Sequence, residues 1–258
     1  MRDEVPTSAV AFRARWCPGS WAWENVAPRL AESGWYGVCL NWYGHNGSEE
    51  LPEQEVLTRS IPDVGREIGL VAKWLGRTPI LVAHSMGGLA ALDYASRNKI
   101  AALVLITPVV PKQFGETEIP VPVDAGAMWL APAEMANQLF WDAVSPEAAK
   151  RYTSLMTPES AQAVLEATRW LVDVDTSAVS VPAYPFGADR DMLVPEGYVQ
   201  SLAANLGATY TKLADQGHGV PLNPVWESVT EQIDQWLTAT TADLGSSRPE
   251  RHSQAHTP

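Results

Sequence analysis

The stretch Pro79–Ala95, PILVAHSMGGLAALDYA, changes character in its middle. It begins with the apolar run Ile80–Ala83, which is typical of a buried strand, and it ends in an alanine- and leucine-rich segment with helical spacing. Ser85 lies at the junction, with the small residues Ala83 and Gly87 two positions before and after it. A sharp strand-to-helix turn through such a serine is typical of a nucleophile elbow, in which the serine side chain projects alone from the end of a sheet. The pattern therefore predicts Ser85 as a catalytic nucleophile.

An ordinary strand-to-helix turn with an N-capping serine is the alternative interpretation of Ser85. Such a turn would require neither the glycine pair Gly87–Gly88 nor the apolar run before the serine. The N-terminus of the following helix also favours negative charge that develops nearby. We therefore favour the nucleophile elbow, and we expect the backbone N–H of Met86 to stabilise an oxyanion.

Composition argues against several other classes of function. The chain has 258 residues, of which 46% are hydrophobic and 19% charged, as in a soluble globular protein. The formal net charge of −12 argues against nucleic acid or an anionic membrane surface as a partner. The first residues lack the long apolar stretch of a signal peptide, and no membrane span is predicted, so we expect a cytoplasmic protein. The two cysteines have no metal-ligand spacing, and neither a metal nor another cofactor is predicted.

Strand-like and helix-like segments alternate along most of the chain, which predicts an α/β fold with a mostly parallel sheet and helices on both faces. The alternation breaks after residue 110, and helix-start signals follow at Pro132, at Pro146 behind the cap Ser145, and at Pro158 behind the cap Thr157. The expected organisation has four parts: a core half over 1–110, a helical cap or lid over 111–180, a second core half over 181–242, and a disordered tail over 243–258.

The sequence resembles the α/β-hydrolase family. The segment AHSMGG, residues 83–88, is close to the family's GHSMGG, although Ala83 replaces the first glycine. The segment Glu24–Ser48 is similar to the family's second helix, the strand after it and a GHGxS turn, and the likeness extends from Val10 to about Leu237. The resemblance implies an α/β-hydrolase fold and a serine, acid, histidine order along the chain, with the acid after the insertion and the histidine after the last strand.

His218 is the expected general base. It stands between Gly217 and Gly219, just past the last predicted strand, and a loop flanked by glycines would let its ring reach Ser85. The other histidines are His45, His84, His252 and His256. The last two lie in the predicted tail, and the resemblance gives His45 a structural role. We expect His84 to point away from Ser85, because adjacent residues of a strand face opposite sides.

The acid is expected at Asp191, with Asp189 as the alternative. Both follow the predicted strand that ends near Gly187. Members of the family commonly show a D-x-x-V-P pattern at this point, and Asp191–Pro195 matches that register. Asp215 precedes His218 by three residues and is expected to be a solvated loop residue.

The second oxyanion donor is harder to locate, because the resemblance leads one to expect an HG pair after the first strand. The sequence has Ala14-Arg15 there instead, which assigns the backbone N–H of Trp16 as the donor. A differently built turn is the alternative. Arg15 would then lie at the pocket mouth, where it suits a carboxylate or a planar ring.

Tryptophan is unusually frequent, with 11 residues against 4 phenylalanines. Three tryptophans of the predicted cap are expected to line an apolar, aromatic substrate pocket: Trp129, Trp141 and Trp170. The alternative is that they fill the core.

The leading functional prediction is a serine hydrolase that cleaves a carboxylic ester, thioester or lactone of a small apolar or aromatic metabolite through an acyl-enzyme. The missing HG pair motivates an alternative on the same scaffold, a C–C bond hydrolase, a lyase or a cyclase. A third interpretation is a non-catalytic small-molecule receptor. A small molecule is the one partner predicted, and the sequence leaves the oligomeric state open.

Overall fold

In the residues that the structure describes, six parallel strands form one sheet in the order β2-β1-β3-β4-β5-β6. The structure is a computed structural model and describes residues 9–15 and 19–246. The strands are β1 (Ala9–Arg15), β2 (Tyr36–Cys39), β3 (Ile80–Ser85), β4 (Ala102–Ile106), β5 (Ala183–Ala188) and β6 (Thr211–Leu213). The parallel sheet agrees with the α/β architecture predicted from the alternation of elements.

Nine α-helices occur in the described part of the chain. They are α1 (Val26–Glu32), α2 (Glu53–Leu57), α3 (Gly65–Leu75), α4 (Met86–Arg97), α5 (Ala133–Leu139), α6 (Pro146–Leu155), α7 (Ala161–Thr168), α8 (Glu196–Asn205) and α9 (Trp226–Ser246). Helix α1 packs on α9, whereas α3 packs on α4. The helices thus cover both faces of the sheet, as the sequence predicts. None of the helices in the described residues is both long and apolar enough to cross a membrane.

Strand β3 runs through the middle of the sheet, between β1 and β4. All six of its residues are buried, which explains why its sequence is a continuous apolar run rather than an alternating one. The register pairs Arg15, the last residue of β1, with Ser85, the last residue of β3. Strand β1 therefore ends beside Ser85.

The helical insertion, which we define as residues 107–182 between β4 and β5, contains α5, α6 and α7. The predicted start of α6 is confirmed, since the Ser145 hydroxyl accepts the N–H of Ala148 at 3.2 Å. The predicted start of α7 behind Thr157 is wrong, because the helix begins at Ala161 and its N-cap is Ser160. The reason is a long-range pairing: Glu159 forms an antiparallel bridge with Trp129, which holds the chain extended up to the cap.

Two of the polar contacts that attach the helical insertion to the core differ in their exposure. In the first, the Glu166 carboxylate on α7 accepts the Ser60 hydroxyl and the Ile61 N–H, both at 2.8 Å. In the second, an exposed ion pair joins Arg151 on α6 to Glu24, with Nη2 and Oε2 2.6 Å apart. The first attachment is mostly buried, whereas the second is open to solvent.

The C-terminal helix is longer than expected. Helix α9 continues to Ser246, so the prediction that the disordered tail starts at residue 243 is wrong for residues 243–246. A helix that is already formed continues without an apolar stripe, because each added residue gains a hydrogen bond. Residues 247–258 of the predicted tail lie outside the described residues.

Cys39, the last residue of β2, is a free thiol.

Candidate active site

Ser85 has the backbone conformation expected of an elbow. Its φ and ψ are 55° and −129°, in a region that non-glycine residues enter only at a cost in strain. Helix α4 begins at the next residue, and the Ser85 carbonyl accepts the N–H of Val109 at 3.0 Å. A Cβ atom on Gly88 would lie 2.5 Å from the Cβ of Pro108. Gly88 therefore lets α4 pack closely against the chain that leaves β4, which holds the elbow in place.

Hydrogen bonds link Ser85, His218 and Asp191. The His218 Nε2 lies 2.7 Å from the Ser85 Oγ, and its Nδ1 lies 2.7 Å from the Asp191 Oδ2. The second carboxylate oxygen of Asp191 accepts the N–H groups of Leu193 at 2.8 Å and Val194 at 2.9 Å. All three linked side chains are buried. Two backbone donors and one imidazole thus orient the Asp191 carboxylate.

Asp189 occupies a different position. It is exposed, and its Oδ1 accepts the N–H of Asp215 at 2.8 Å, so it shapes the loop before His218. Asp215 is also exposed, and its φ is 58°. The structure brings Asp191 rather than Asp189 into contact with His218.

The glycines around His218 have a different role from the one inferred from the sequence. A Cβ on Gly219 would lie 2.0 Å from the Phe140 carbonyl oxygen, and a Cβ on Gly217 would lie 2.5 Å from the Asp142 carboxylate. The glycines are therefore required because the helical insertion lies directly against the His218 loop. The Phe140 ring centre lies 5.9 Å from that of His218.

Of the two predicted oxyanion donors, the structure describes Met86. Met86 is fully buried and is the first residue of α4, where a backbone N–H has no carbonyl partner within its own helix. Trp16 lies outside the described residues. Arg15 ends β1 in register with Ser85.

His84 is a member of the site that the sequence reasoning missed. Its Nε2 lies 2.8 Å from the His218 carbonyl oxygen, and the two rings have centres 4.9 Å apart. The Thr107 hydroxyl donates to the same carbonyl at 3.3 Å. His84 therefore supports the base through the His218 carbonyl, a role that the expectation of its pointing away from Ser85 did not include. Its position beside Ser85 in AHSMGG was the available signal.

Burial and the neighbouring histidine shape the electrostatics of His84. Burial lowers its pKa, and the positive charge that His218 can carry lowers it further, to about 3. His84 is therefore a neutral imidazole at neutral pH. In the described residues, no group of three or more His, Cys, Asp or Glu side chains could hold a metal ion.

The three predicted pocket tryptophans differ in their surroundings. Trp129 donates its indole N–H to the Pro122 carbonyl at 2.8 Å, and Trp170 donates to the Thr117 carbonyl at 2.8 Å. Both are buried against the backbone of the helical insertion, where they serve its packing. Trp141 instead lines a cavity of about 510 Å³ between α5 and α6.

A second, much smaller cavity lies beside the two histidines. It measures about 10 Å³, and Trp141 forms part of its wall as well. The remaining lining residues are Ala22, His84, Phe140, Gly219, Pro221 and Leu222. Trp141 thus stands between the large cavity and the small one. Its indole N–H donates to the Thr153 hydroxyl at 3.1 Å.

A strand-to-helix elbow at Ser85, with a buried histidine and aspartate in hydrogen-bond contact, defines a serine site on a parallel α/β sheet. The model of the Alpha/beta hydrolase family matches residues 16–227, which is most of the chain. The chain belongs to this family.

Solved structures with the same fold cover nearly the whole chain. A monoacylglycerol lipase from Paleococcus ferrophilus superposes with a TM-score of 0.70 and 17% identity, over 91% of this chain and 95% of the lipase. A methylesterase from Arabidopsis gives a TM-score of 0.69 and 16% identity, over 92% of this chain and 99% of the methylesterase. A pyrethroid hydrolase from Sphingobium faniae gives 0.69 and 16%, over 90% and 98%. At these identities the likeness shows the shared fold. No curated protein sequence matches the chain.

Proposed function

We propose that the chain is a serine hydrolase that cleaves the ester, thioester or lactone bond of a small apolar or aromatic metabolite through an acyl-enzyme. The observation that carries the proposal is the pair of 2.7 Å contacts that connect Asp191 to His218 and His218 to Ser85. When the His218 imidazole is neutral, its proton lies on Nδ1, toward the Asp191 carboxylate, and its Nε2 has a free lone pair toward the Ser85 hydroxyl. That arrangement suits removal of the hydroxyl proton.

In the acylation step, the Ser85 Oγ attacks the substrate carbonyl carbon while the His218 Nε2 takes its proton. The imidazolium that forms is stabilised by the Asp191 carboxylate, which stays ionised. When the tetrahedral intermediate collapses, the bond to the leaving group breaks, and His218 gives its proton to the leaving oxygen or sulfur. A water molecule then attacks the carbonyl carbon of the acyl-enzyme while His218 takes its proton. When this second intermediate collapses, His218 returns the proton to the Ser85 oxygen and the acid is released.

The negative charge of the tetrahedral intermediate requires backbone donors. We assign the N–H of Met86 as one donor, because it stands at the first residue of α4, where the helix dipole also favours an anion. We assign the N–H of Trp16 as the other, since β1 ends in register with Ser85 one residue before it. In a phosphonate adduct of Ser85, the phosphoryl oxygen should lie about 2.7–3.1 Å from both N–H groups. An adduct oxygen bound by Met86 and a side chain would contradict the Trp16 assignment.

The apolar surroundings of Trp141 support a small apolar or aromatic substrate. The large cavity that it lines has Val144 and Ala149 among its walls. Such a cavity has the size of many small-molecule sites. The names of the similar structures, a monoacylglycerol lipase and a methylesterase, are in keeping with ester chemistry. We keep Arg15 as a residue of the pocket mouth in this proposal.

Labelling with a fluorophosphonate tests the proposal. The purified chain should be labelled at Ser85, and Ser85→Ala should lose the label while it keeps the circular dichroism spectrum of the parent. A panel of p-nitrophenyl esters of increasing chain length then defines the acyl group. A folded chain that reacts neither with the fluorophosphonate nor with a smaller organophosphorus probe would overturn the proposal and favour a receptor.

A further inference from the structure

The protonation of His84 follows from its hydrogen bond. A carbonyl oxygen only accepts hydrogen bonds, so the Nε2 that faces the His218 carbonyl at 2.8 Å must carry a proton. A neutral imidazole holds one proton, and the Nδ1 atom of His84 is therefore a bare acceptor. The low pKa of His84, about 3, keeps the ring in this neutral form at neutral pH.

This acceptor is buried and has no partner. His84 is 5% exposed, and its Nδ1 makes no hydrogen bond with any group of residues 9–15 and 19–246. A buried polar atom without a partner costs folding free energy, roughly 1–3 kcal/mol. Such atoms are uncommon in folded proteins, and each calls for an explanation, such as a catalytic role or a bound molecule. The structural hydrogen bond to the His218 carbonyl explains Nε2 only and leaves Nδ1 without a role.

The side chains that line the small cavity beside His84 offer no free donor to this atom. His84 lines the small cavity beside the base, and the side chains that share its wall are apolar, among them Ala22, Pro221 and Leu222. The one indole in the wall, Trp141, already donates its N–H to Thr153. Among the described residues of this wall no side-chain donor remains for Nδ1, and a bound molecule can supply one.

We propose that the Nδ1 of His84 accepts a hydrogen bond from a hydroxyl group of the substrate. The inference rests on the proposed ester hydrolysis and narrows its substrate class to small esters that carry a hydroxyl group next to the scissile carbonyl. The His84 ring lies against the ring of His218, which in turn contacts Ser85. A hydroxyl bound at His84 is thus within the length of a short acyl group from the nucleophile.

Matched esters provide the first test. We expect the value of kcat/KM for one enantiomer of methyl lactate to exceed that for methyl propionate by about tenfold, as one hydrogen bond at a buried site allows. The α-hydroxyl also makes the carbonyl more reactive, so the decisive quantity is how this ratio changes in variants. Acid release in a pH-stat measures both esters.

Two substitutions of His84 test the acceptor role of its Nδ1 and the donor role of its Nε2 separately. In His84→Asn, the amide oxygen stands near the position of Nδ1 and can accept, but the donor to the His218 carbonyl is lost. In His84→Gln, an amide N–H reaches toward that carbonyl, but no acceptor stands at the Nδ1 position. We expect Gln to lower the lactate-to-propionate ratio by about tenfold and Asn to retain most of it.

Thr107→Val is the matched control. It removes the other side-chain donor to the His218 carbonyl, so it should change the rates for both esters by the same factor. A ratio that stays at the parent value in His84→Gln, or that falls as much in Thr107→Val, would overturn the proposal. Such a result would leave the ester hydrolase itself standing, because both esters would still be cleaved.

Binding to the Ser85→Ala variant tests the inference independently of turnover. Tryptophan fluorescence, with Trp141 in the cavity wall, should report a dissociation constant for methyl lactate about tenfold lower than for methyl propionate. The difference should vanish when His84→Gln is added. Equal binding of the two esters would overturn the inference, whether or not the parent protein shows esterase activity.

Discussion

Replacing Asp191 by asparagine tests the site through its hydrogen-bond directions. The Oδ1 of Asp191 accepts two backbone N–H groups, those of Leu193 and Val194. An asparagine must keep its carbonyl oxygen at this position, because its NH₂ group cannot accept them. The NH₂ group is therefore forced toward the Nδ1 of His218, 2.7 Å from the present carboxylate oxygen.

The consequence is the wrong tautomer of His218. An NH₂ group facing Nδ1 requires a lone pair there, which moves the ring proton to Nε2, the atom that faces Ser85. A protonated Nε2 cannot remove the hydroxyl proton. The corresponding change in serine proteases lowers kcat about 10⁴-fold, and we expect a similar loss for Asp191→Asn, equal to about 5 kcal/mol in the barrier.

The assay is kcat for a p-nitrophenyl ester at neutral pH, with thermal unfolding of each variant as a check on folding. Asp189→Asn is the matched control, because Asp189 is exposed and bonds to a loop N–H instead of to His218. We expect it to lower kcat by less than about tenfold, as few surface changes alter the chemistry. An equal loss in the two variants, or a larger loss for Asp189→Asn, would refute the reasoning.

The remaining predictions concern packing. Gly88→Ala should lower the free energy of unfolding by about 1–3 kcal/mol, because its Cβ would lie 2.5 Å from the Cβ of Pro108; a denaturant titration that shows no loss would contradict this contact. Trp170→Ala should cost about 3–5 kcal/mol without altering the preference between small and bulky p-nitrophenyl esters, since its indole packs on the helical insertion and on the Tyr198 ring of α8. Trp141→Ala should shift that preference toward bulky esters, because loss of the indole would join the two cavities that it now separates. An unchanged preference would show that Trp141 is not part of the substrate pocket.

Local signals in the sequence were sufficient to locate the residues that meet at the site. A serine at a strand-to-helix junction and a histidine just past the last strand are each recognisable within a few residues. Asp191 was separated from Asp189 by the register of a short motif, and the structure brings Asp191 to His218. The parallel order of the sheet followed from the alternation of elements, because parallel strands need crossover helices.

What the sequence could not provide depends on contacts between distant segments. The start of α7 is displaced to Ser160 because the preceding residue pairs with Trp129, about thirty positions earlier. The surroundings of Trp141 and Trp170 differ although both look alike as tryptophans in a helical segment. The role of His84 was hidden for the same reason, because its partner is a backbone carbonyl on another loop.

The unequal attachment of the helical insertion determines how it should move. Its α7 end is fastened by buried hydrogen bonds from Ser60 and Ile61 to the Glu166 carboxylate, each worth about 1.5–3 kcal/mol. Its α6 end is held by the ring of Tyr152, which stacks on Trp21, and by an exposed ion pair between Arg151 and Glu24. An ion pair of this kind is worth about 0–1 kcal/mol and is weakened by salt. The insertion should therefore behave as a hinged flap, with α7 at the hinge and α6 at the free edge. Amide hydrogens of α6 should exchange before those of α7, and added salt should widen the difference.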